Sequence, residues 1–283
     1  MIQKDKLQAY RARAFRSSSE LRLKNLDLAV KFINERGFVF FWPITGITLP
    51  SLWVASAGDR PVPNEHDDPG HITWGWKDDL LGKKRIYYGR VLRKKNTMVS
   101  MEMAPYFYAL TPNFGAPEED YLIQYEMGQL TLETKQLFET LLKEGPLDTL
   151  ALRRAAHLSG PGSDARFNHA LDCLQVDMRI LPVGVSRAGA WHYAFIYDTV
   201  HHHLPEILEN SRLISEKKAR SQLISHYFKS VGAAQMRDMT KIFGWTQTDI
   251  QTSLNDLIQK GEIYSDLQLE NEKGDWFALS VFV

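Results

Sequence analysis

The sequence has very little cysteine and no excess of charge of either sign. Cys173 is the only cysteine among 283 residues, which excludes an intramolecular disulfide framework and a cysteine-rich zinc site. Because it stands between Leu171 and Leu174 in a helical apolar register, we expect a small core residue rather than a reactive thiol. The 34 Lys and Arg residues equal the 34 Asp and Glu residues, which argues against a surface coated with basic charge. A local basic patch is compatible with this balance.

Long apolar runs and common catalytic motifs are also missing from the sequence. No apolar run approaches the ~20 residues of a membrane span, and the polar start at Met1 has no signal-peptide apolar stretch. We therefore expect a cytoplasmic protein with no membrane partner. The sequence contains no Gly-rich phosphate loop, no Gly-x-Ser-x-Gly elbow and no His-Glu-x-x-His motif. No cofactor and no metal site are predicted.

Two stretches of the C-terminal half, 131–198 and 214–282, share one pattern. Each has three apolar-periodic helical segments followed by two β-rich segments, and Gly145 corresponds to Gly232 while Trp191 corresponds to Trp276. Three helices and a two-stranded wing are typical of a winged helix. The alternative is that any two helix-rich stretches with a closing hairpin look alike. We predict a mainly helical α+β protein built from tandem winged-helix modules.

The N-terminal third has the same order of elements. A Ser before Glu20 is predicted as the N-cap of a helix that ends at Gly37, and Phe38–Trp42 reads as a buried strand. Two further strands, 85–92 and 97–101, are joined by a turn at 93–96. This indicates a third, more divergent module. The predicted domains are 1–117, 118–205 and 206–283.

A concentrated basic patch lies on and beside the predicted first hairpin. It consists of Lys83, Lys84, Arg85, Arg90, Arg93, Lys94 and Lys95, and we expect it to contact the DNA backbone. Arg153 and Arg154, on the second helix of the middle module, could add phosphate contacts or simply face solvent. The alternative for the hairpin is a solvated turn whose lysines discourage edge pairing.

The third helices of the two C-terminal modules carry few cations. Arg166 and His169 stand in the middle module, while Asp249 and Asp256 stand in the last. A sequence-reading helix presents Arg, Lys, Asn or Gln to base edges in the major groove. These modules are therefore more suited to shape reading, scaffolding or protein contacts than to sequence-specific repression.

A loop rich in His and Asp is surrounded by tryptophans. The predicted pocket residues are Trp42, Trp53, His66, His71, Trp74 and Trp76. Flat apolar walls with a few polar groups suit a pocket that stacks a base or another planar ring. The alternative is an aromatic-rich core. The spacing of His66, Asp67, Asp68 and His71 matches no metal motif of known geometry, so local turns and ion pairs are the default.

Three segments give the chain a resemblance to a known family. They are Glu35-Arg-Gly-Phe-Val-Phe-Phe-Trp-Pro43, Gly145-Pro-Leu-Asp-Thr-Leu-Ala-Leu-Arg-Arg154 and Gly189-Ala-Trp-His-Tyr-Ala-Phe-Ile-Tyr197. The chain resembles the winged-helix DNA glycosylase superfamily of the AlkZ/YcaQ type over most of its length. The resemblance implies tandem winged helices that cradle DNA, and the family excises alkylated bases and unhooks interstrand crosslinks.

The chain departs from this family at the catalytic motif. Family enzymes carry Gln, an apolar residue and then Gln or Asp shortly before a proline, and the resemblance places these positions on Phe40, Phe41 and Trp42. Aromatic side chains cannot accept a proton from the attacking water. Either the chemistry uses other carboxylates, with Asp67, Asp68 and Glu102 as the candidates, or the protein binds without catalysing.

Three functions remain open from the sequence. The first is a DNA-binding relative of these glycosylases that recognises damaged or distorted duplex through the basic hairpin and the aromatic pocket. The second is an active base-excising glycosylase that uses carboxylates outside the usual motif. The third is a winged-helix scaffold that binds a protein partner and no nucleic acid.

Overall fold

The computed structural model describes residues 1–65, 67–113 and 115–283, and in this part of the chain the strands form three small antiparallel sheets. Each sheet has three strands in the order first, third, second, and each lies in a different third of the chain. In every case the chain runs helix, short strand, helix, helix and hairpin. The fold is mixed α and β, as predicted, and this order is the one expected of a winged helix.

The first unit contains the elements up to residue 108. They are α1 (Lys4–Ala14), α2 (Leu26–Arg36), β1 (Phe38–Phe40), α3 (Leu52–Ala57), α4 (Ile72–Leu80), β2 (Ile86–Leu92), β3 (Lys95–Ser100) and α5 (Ala104–Tyr108). Two short 3-10 turns, Ser19–Leu21 and Pro69–His71, precede α2 and α4 respectively. The hairpin strand β3 pairs with both β1 and β2.

The second and third units repeat this order. The second has α6 (Asp120–Glu126), α7 (Leu132–Glu144), β4 (Leu147–Asp148), α8 (Thr149–Ala155), α9 (Asp164–Val176), β5 (Ile180–Ser186), β6 (Ala194–Thr199), α10 (Val200–His203) and α11 (Pro205–Ser211). The third has α12 (Glu216–Val231), β7 (Ala233–Ala234), α13 (Met236–Phe243), α14 (Gln247–Gln259), β8 (Ile263–Leu267) and β9 (Trp276–Leu279), followed by a 3-10 turn, Ser280–Phe282.

Helix α2 begins later than the sequence predicts. Its N-cap is Asn25, whose side chain accepts a hydrogen bond from the amide of Leu28, and Ser19, directly before Glu20, instead begins a separate 3-10 turn. The amide of Leu23 donates to the carbonyl of Ala55, so the segment between turn and helix is held by α3. The predicted end at Gly37 is confirmed, because its φ of 81° ends the helix at a conformation that favours glycine.

The turn of the first hairpin consists of Arg93 and Lys94 alone, so Asn96 lies in β3 and not in the turn predicted for 93–96. Leu92 pairs with Lys95, so two residues form the loop, and their φ values are 53° and 56°. Two consecutive residues with positive φ are the requirement of a type I′ turn, which matches the twist of the flanking strands. The strand β3 therefore starts with a lysine that the sequence assigned to the turn.

One apolar core joins all three units. The same cluster of buried side chains contains Phe38 from the first unit, Leu181 from the second and Tyr227 from the third. The N-terminal segment also contacts the third unit, since α1 packs on α12 and Ile2 pairs with Leu269. One sheet falls in each of the predicted ranges 1–117, 118–205 and 206–283, but these boundaries as independent domains stay a prediction.

The helices of residues 1–65, 67–113 and 115–283 are all too short or too polar to cross a membrane. The longest of them, α12, has 16 residues, and both of its ends carry charged side chains. A span of the hydrocarbon core takes about 20 apolar residues.

Candidate functional site

A cavity of about 490 Å³ opens between the first unit and the hairpin of the second. Its walls are mainly aromatic, and two lysines and one amide also line it. The lining residues are Phe41, Trp42, Ile44, Trp74, Lys77, Tyr88, Lys95, Asn96, Tyr193 and Phe195. Eight of these ten come from the first unit and two from the second, so the cavity depends on how the two units pack.

The aromatic rings of the cavity contact one another in a continuous chain. The ring centroids of Trp42 and Trp74 are 6.0 Å apart, those of Trp74 and Tyr193 are 6.5 Å apart, and those of Tyr193 and Phe195 are 5.6 Å apart. Most of these pairs meet at steep angles. Rings in such contact are held in place by their neighbours and offer rigid faces to a planar ligand.

Lys77 brings a buried amine to this aromatic wall. Its side chain is only 3% exposed, and its Nζ lies 4.6 Å from the ring centroid of Phe195 and 5.4 Å from that of Trp74. The Nζ also lies 2.6 Å from Oδ1 of Asp78 and donates a 2.5 Å hydrogen bond to the hydroxyl of Tyr193. Burial lowers the pKa of Lys77, and the hydrogen bond and charge of Asp78 oppose this shift.

Asp78 links two polar side chains of the cavity lining, Lys77 and Tyr193. The hydroxyl of Tyr193 donates a 2.8 Å hydrogen bond to the same Oδ1 that Lys77 contacts. Burial raises the pKa of Tyr193, and its hydrogen bond to Asp78 raises it further. The tyrosine therefore stays a neutral hydrogen-bond donor, and the carboxylate has two partners.

The sequence analysis missed Lys77, Asp78 and the second-unit aromatics, although a local signal marks the lysine. The buried residues of α4 are Thr73, Trp76, Lys77 and Leu80, which is the spacing of one helix face. A lysine at a position that the pattern reserves for an apolar side chain points to a buried partner or to a function. Phe195 and Tyr197 alternate along β6, and Tyr193 stands directly before this strand, a spacing that indicates a shared face but not what that face contacts.

The predicted pocket residues divide between the cavity and the core. Trp42 and Trp74 line the cavity. Trp53 and Trp76 are buried instead, the first donating its indole N–H to the carbonyl of Arg60 at 3.1 Å. His71 stacks against the outer side of this group, 6.3 Å from Trp42 at an angle of 21°. His66 lies outside the described residues.

The three carboxylates proposed for catalysis are away from the cavity wall as far as the described residues define it. Asp67 is exposed. Asp68 accepts hydrogen bonds from Arg60 at 2.6 Å and from the amide of Gly70 at 2.7 Å, and the bond from Arg60 lowers its pKa. Glu102 is exposed and lies near His226 of α12. Asp68 therefore has the structural role of a turn cap.

The basic patch divides into two groups at opposite ends of β2. Lys83, Lys84 and Arg85 precede this strand, and Arg93 and Lys94 follow it. A strand of seven residues separates them by roughly 20 Å at about 3.3 Å per residue. Consecutive cations in the sequence therefore do not form one continuous surface. Arg85 is further engaged by Asp27, whose Oδ1 it contacts at 2.8 Å.

The middle of the hairpin is packed against the second unit. Arg90 forms an ion pair with Asp172, and β2 packs against the helix α9 that carries this aspartate. The hairpin therefore packs on the part of α9 around Asp172, while Asp164 and Arg166 near the start of this helix are exposed. At the tip of the hairpin, Lys94 is exposed and Lys95 lines the cavity.

Arg153 and Arg154 differ in their surroundings. Arg153 donates to the carbonyl of Leu158 at 2.8 Å and to the hydroxyl of Ser163 at 3.1 Å, and it also pairs with Asp164. These contacts hold the segment before α9 against α8, and a phosphate contact of Arg153 stays a prediction. Arg154 is exposed.

The loop of the second hairpin carries the most exposed tryptophan of the described chain. Trp191 is 89% exposed and stands two residues before Tyr193 of the cavity. Because it is so close in sequence to a lining residue, we include Trp191 in the candidate site.

Comparison with known proteins agrees with this architecture. The model of the AlkZ-related family matches residues 23–244, and no curated protein sequence matches. The solved structure of the Streptomyces sahachiroi DNA glycosylase AlkZ is similar to this chain with a TM-score of 0.60 and 12% identity. The matched region covers 97% of this chain and 69% of the AlkZ chain. At this identity the structural likeness shows the fold alone. The family match spans well over half of the residues, so this chain belongs to the AlkZ-related family, as the sequence resemblance predicted.

Proposed function

We propose that this protein binds duplex DNA at damaged or distorted sites and holds an extruded base in the aromatic cavity. The observation that carries the proposal is a cavity of about 490 Å³ with Trp42 and Trp74 as its flat walls. Its volume falls in the range of roughly 300–1,000 Å³ that is usual for small-ligand sites. A base that leaves the stack needs such a pocket, in which aromatic faces replace its neighbours.

Cations at the edge of the cavity support this proposal. Lys95 lines the cavity, and the exposed Arg93 and Lys94 precede it at the tip of the hairpin. Phosphates flank every base, so a ligand that inserts a base also brings negative charge to the rim. Lys83 and Lys84, roughly 20 Å away along the strand, would reach a more distant part of the duplex.

Family membership supports DNA as the ligand. The similar solved structure is named a DNA glycosylase, and the family model that matches this chain is AlkZ-related. The positions that the resemblance assigns to the polar catalytic motif hold Phe40, Phe41 and Trp42, and the last two line the cavity. Aromatic side chains there favour binding of a base over activation of a water molecule.

The proposal is tested by fluorescence anisotropy with duplexes that contain an alkylated base, an abasic site or no lesion. We expect tighter binding to the damaged duplexes, with affinity that falls as salt rises from about 50 to 200 mM. Trp42→Ala should remove the preference for damage. Trp245→Ala is the matched control, since this half-buried tryptophan lies in the third unit and stacks on Phe243 instead.

The absence of salt-sensitive binding to any duplex would contradict the proposal. Recovery of a stable protein partner under the same conditions would then favour the scaffold function.

Base excision is a second candidate function, and Asp78 favours it. This carboxylate lies one hydrogen bond behind Tyr193 of the cavity wall, whereas Asp68 is held by Arg60. Incubation with alkylated DNA should release free base, and Asp78→Asn should lose this activity while Asp68→Asn retains it. If no substrate releases a base, the protein is a binder only.

A further inference from the structure

We propose that Lys77 is the nucleophile of an abasic-site lyase, forming an imine with C1′ of an abasic deoxyribose in the cavity. This inference rests on the proposed binding of DNA at the same cavity and adds a covalent step to it. The nucleophile would be an amine from the side chain of the protein, without metal or cofactor.

The position of Lys77 is the main reason for this assignment. Its side chain is 3% exposed, yet it lines the cavity together with Trp74 and Phe195. A lysine that served only to pair with Asp78 could do so at the surface, where its charge would stay in water and no desolvation cost would arise. Here a core-facing position of α4 holds a lysine whose side chain lines a cavity of ligand size.

The surroundings of the amine suit a lysine that alternates between a neutral and a cationic form. Burial disfavours the ammonium and so lowers the pKa of Lys77, which increases the fraction of neutral, nucleophilic amine. The protonated imine that forms next is again a cation. It would meet the ring of Phe195, 4.6 Å from Nζ, and the carboxylate of Asp78, 2.6 Å from Nζ.

The chemistry balances without an added oxidant or reductant. The neutral amine attacks the C1′ aldehyde of the ring-opened sugar, and the hydroxyl of the resulting carbinolamine takes a proton from Asp78 and leaves as water, which gives the protonated imine. Loss of the C2′ proton to solvent water then forms a C2′–C3′ double bond while the C3′–O bond breaks and the 3′ phosphate leaves. Water hydrolyses the protonated imine, which releases the unsaturated aldehyde and restores Lys77 as the ammonium. Asp78 is placed to accept the proton that the ammonium of Lys77 gives up before the attack.

Borohydride trapping tests this step, because it reduces an imine to a stable amine. The purified protein is incubated with a duplex that carries one abasic site, with and without borohydride. We expect a covalent protein–DNA adduct that survives denaturing electrophoresis, mapped to Lys77 by peptide mass spectrometry. Without borohydride the abasic strand should be cut on the 3′ side of the lesion.

Two substitutions and one control make the test specific. Lys77→Met keeps an apolar chain of similar length, and Lys77→Arg keeps the charge, but neither can form the imine. Both should reduce the adduct to the level of the reaction without protein. Lys135→Met is the matched control, since Lys135 also contacts an aromatic ring, that of Tyr125 at 4.9 Å, but lies on α7 outside the cavity lining.

Parallel binding measurements separate the two proposals. Binding of the abasic duplex without an adduct, or an adduct mapped to another lysine, would overturn the role of Lys77 and leave the proposed function intact. Absence of any duplex binding would overturn both. If a Lys77 variant fails to fold, mapping of the adduct in the unmodified protein decides.

Discussion

The ammonium of Lys77 donates a 2.5 Å hydrogen bond to the hydroxyl of Tyr193, and this bond joins the first unit to the second. The two residues are separated by 116 positions in the sequence. Since the same tyrosine hydroxyl donates to Asp78, the polar end of the cavity exists only while α4 and the second hairpin stay together. The contact between units therefore determines the shape of the cavity.

Removal of this hydroxyl should destabilise the protein without changing its packing. Tyr193→Phe keeps the ring but takes one hydrogen-bond partner from Lys77 and one from Asp78, both partly or fully buried. We expect a loss of about 1–3 kcal/mol in the free energy of unfolding, measured by urea titration. Tyr264→Phe, at a side chain that is 39% exposed, should cost less than about 0.5 kcal/mol. Equal stabilities for the two variants would contradict the structural role of the network.

The repeated architecture could be predicted from the sequence because its signals are local. Gly145 and Gly232 both end a helix with positive φ, and each is followed by a two-residue strand that pairs with the last strand of its unit. Glycine at such positions and a closing hairpin are visible in the order of residues alone. This also identified the first unit, where Gly37 has the same place before β1.

The cavity could not be predicted in full because two of its ten lining residues come from the second unit. The tryptophans near residue 70 indicated an aromatic pocket, but Tyr193 and Phe195 reach it from a different sheet. Sequence proximity was also misleading for charge. Arg90 stands in a run of cations, yet a residue far along the chain, Asp172, pairs with it. Local patterns carry no information about such partners.

The stability of the protein should depend on pH through Lys77. Burial lowers the pKa of this lysine in the folded state, so between that lowered pKa and the ordinary lysine pKa of 10.5 the unfolded chain binds more protons. In that window the free energy of unfolding rises with pH. Lys77→Met lacks the titrating amine, so the difference in unfolding free energy, unmodified protein minus variant, should increase from about pH 8 to pH 10. Urea titrations of both proteins across this range give the difference. The effects of tyrosine ionisation are common to both proteins and cancel in it. A flat difference would show that Lys77 is not desolvated.

Lys94, at the tip of the first hairpin, should lower the free energy of unfolding and at the same time strengthen DNA binding. Lys94 has a φ of 56°, a conformation that costs a residue with a side chain about 1–2 kcal/mol. Lys94→Gly relieves this cost but gains chain entropy on unfolding, for a net stabilisation of about 0.5–1 kcal/mol. If Lys94 contacts a phosphate, the slope of log affinity against log salt should become shallower by about 0.9.

Asn271→Gly is the control for the hairpin, since its φ is 61° and it carries no charge. This variant should leave the salt slope unchanged. If Lys94→Gly gains stability and keeps the full salt slope, Lys94 does not contact a phosphate and the tip of the hairpin serves only as a turn.

Trp191 should contribute to DNA affinity but not to stability. Its side chain is 89% exposed, so Trp191→Ala removes almost no buried surface and should change the unfolding free energy by less than about 0.5 kcal/mol. If the duplex lies over the second hairpin when a base enters the cavity, the ring of Trp191 stacks on a neighbouring base, and its loss should weaken binding by about 1–3 kcal/mol, or roughly 5- to 150-fold. Leu213→Ala is the matched control, at 90% exposure and in the segment after α11. Anisotropy titrations with an abasic duplex measure both variants. Equal affinities would mean that the duplex does not reach the second hairpin, and the cavity would then have to be approached from the side of Lys95.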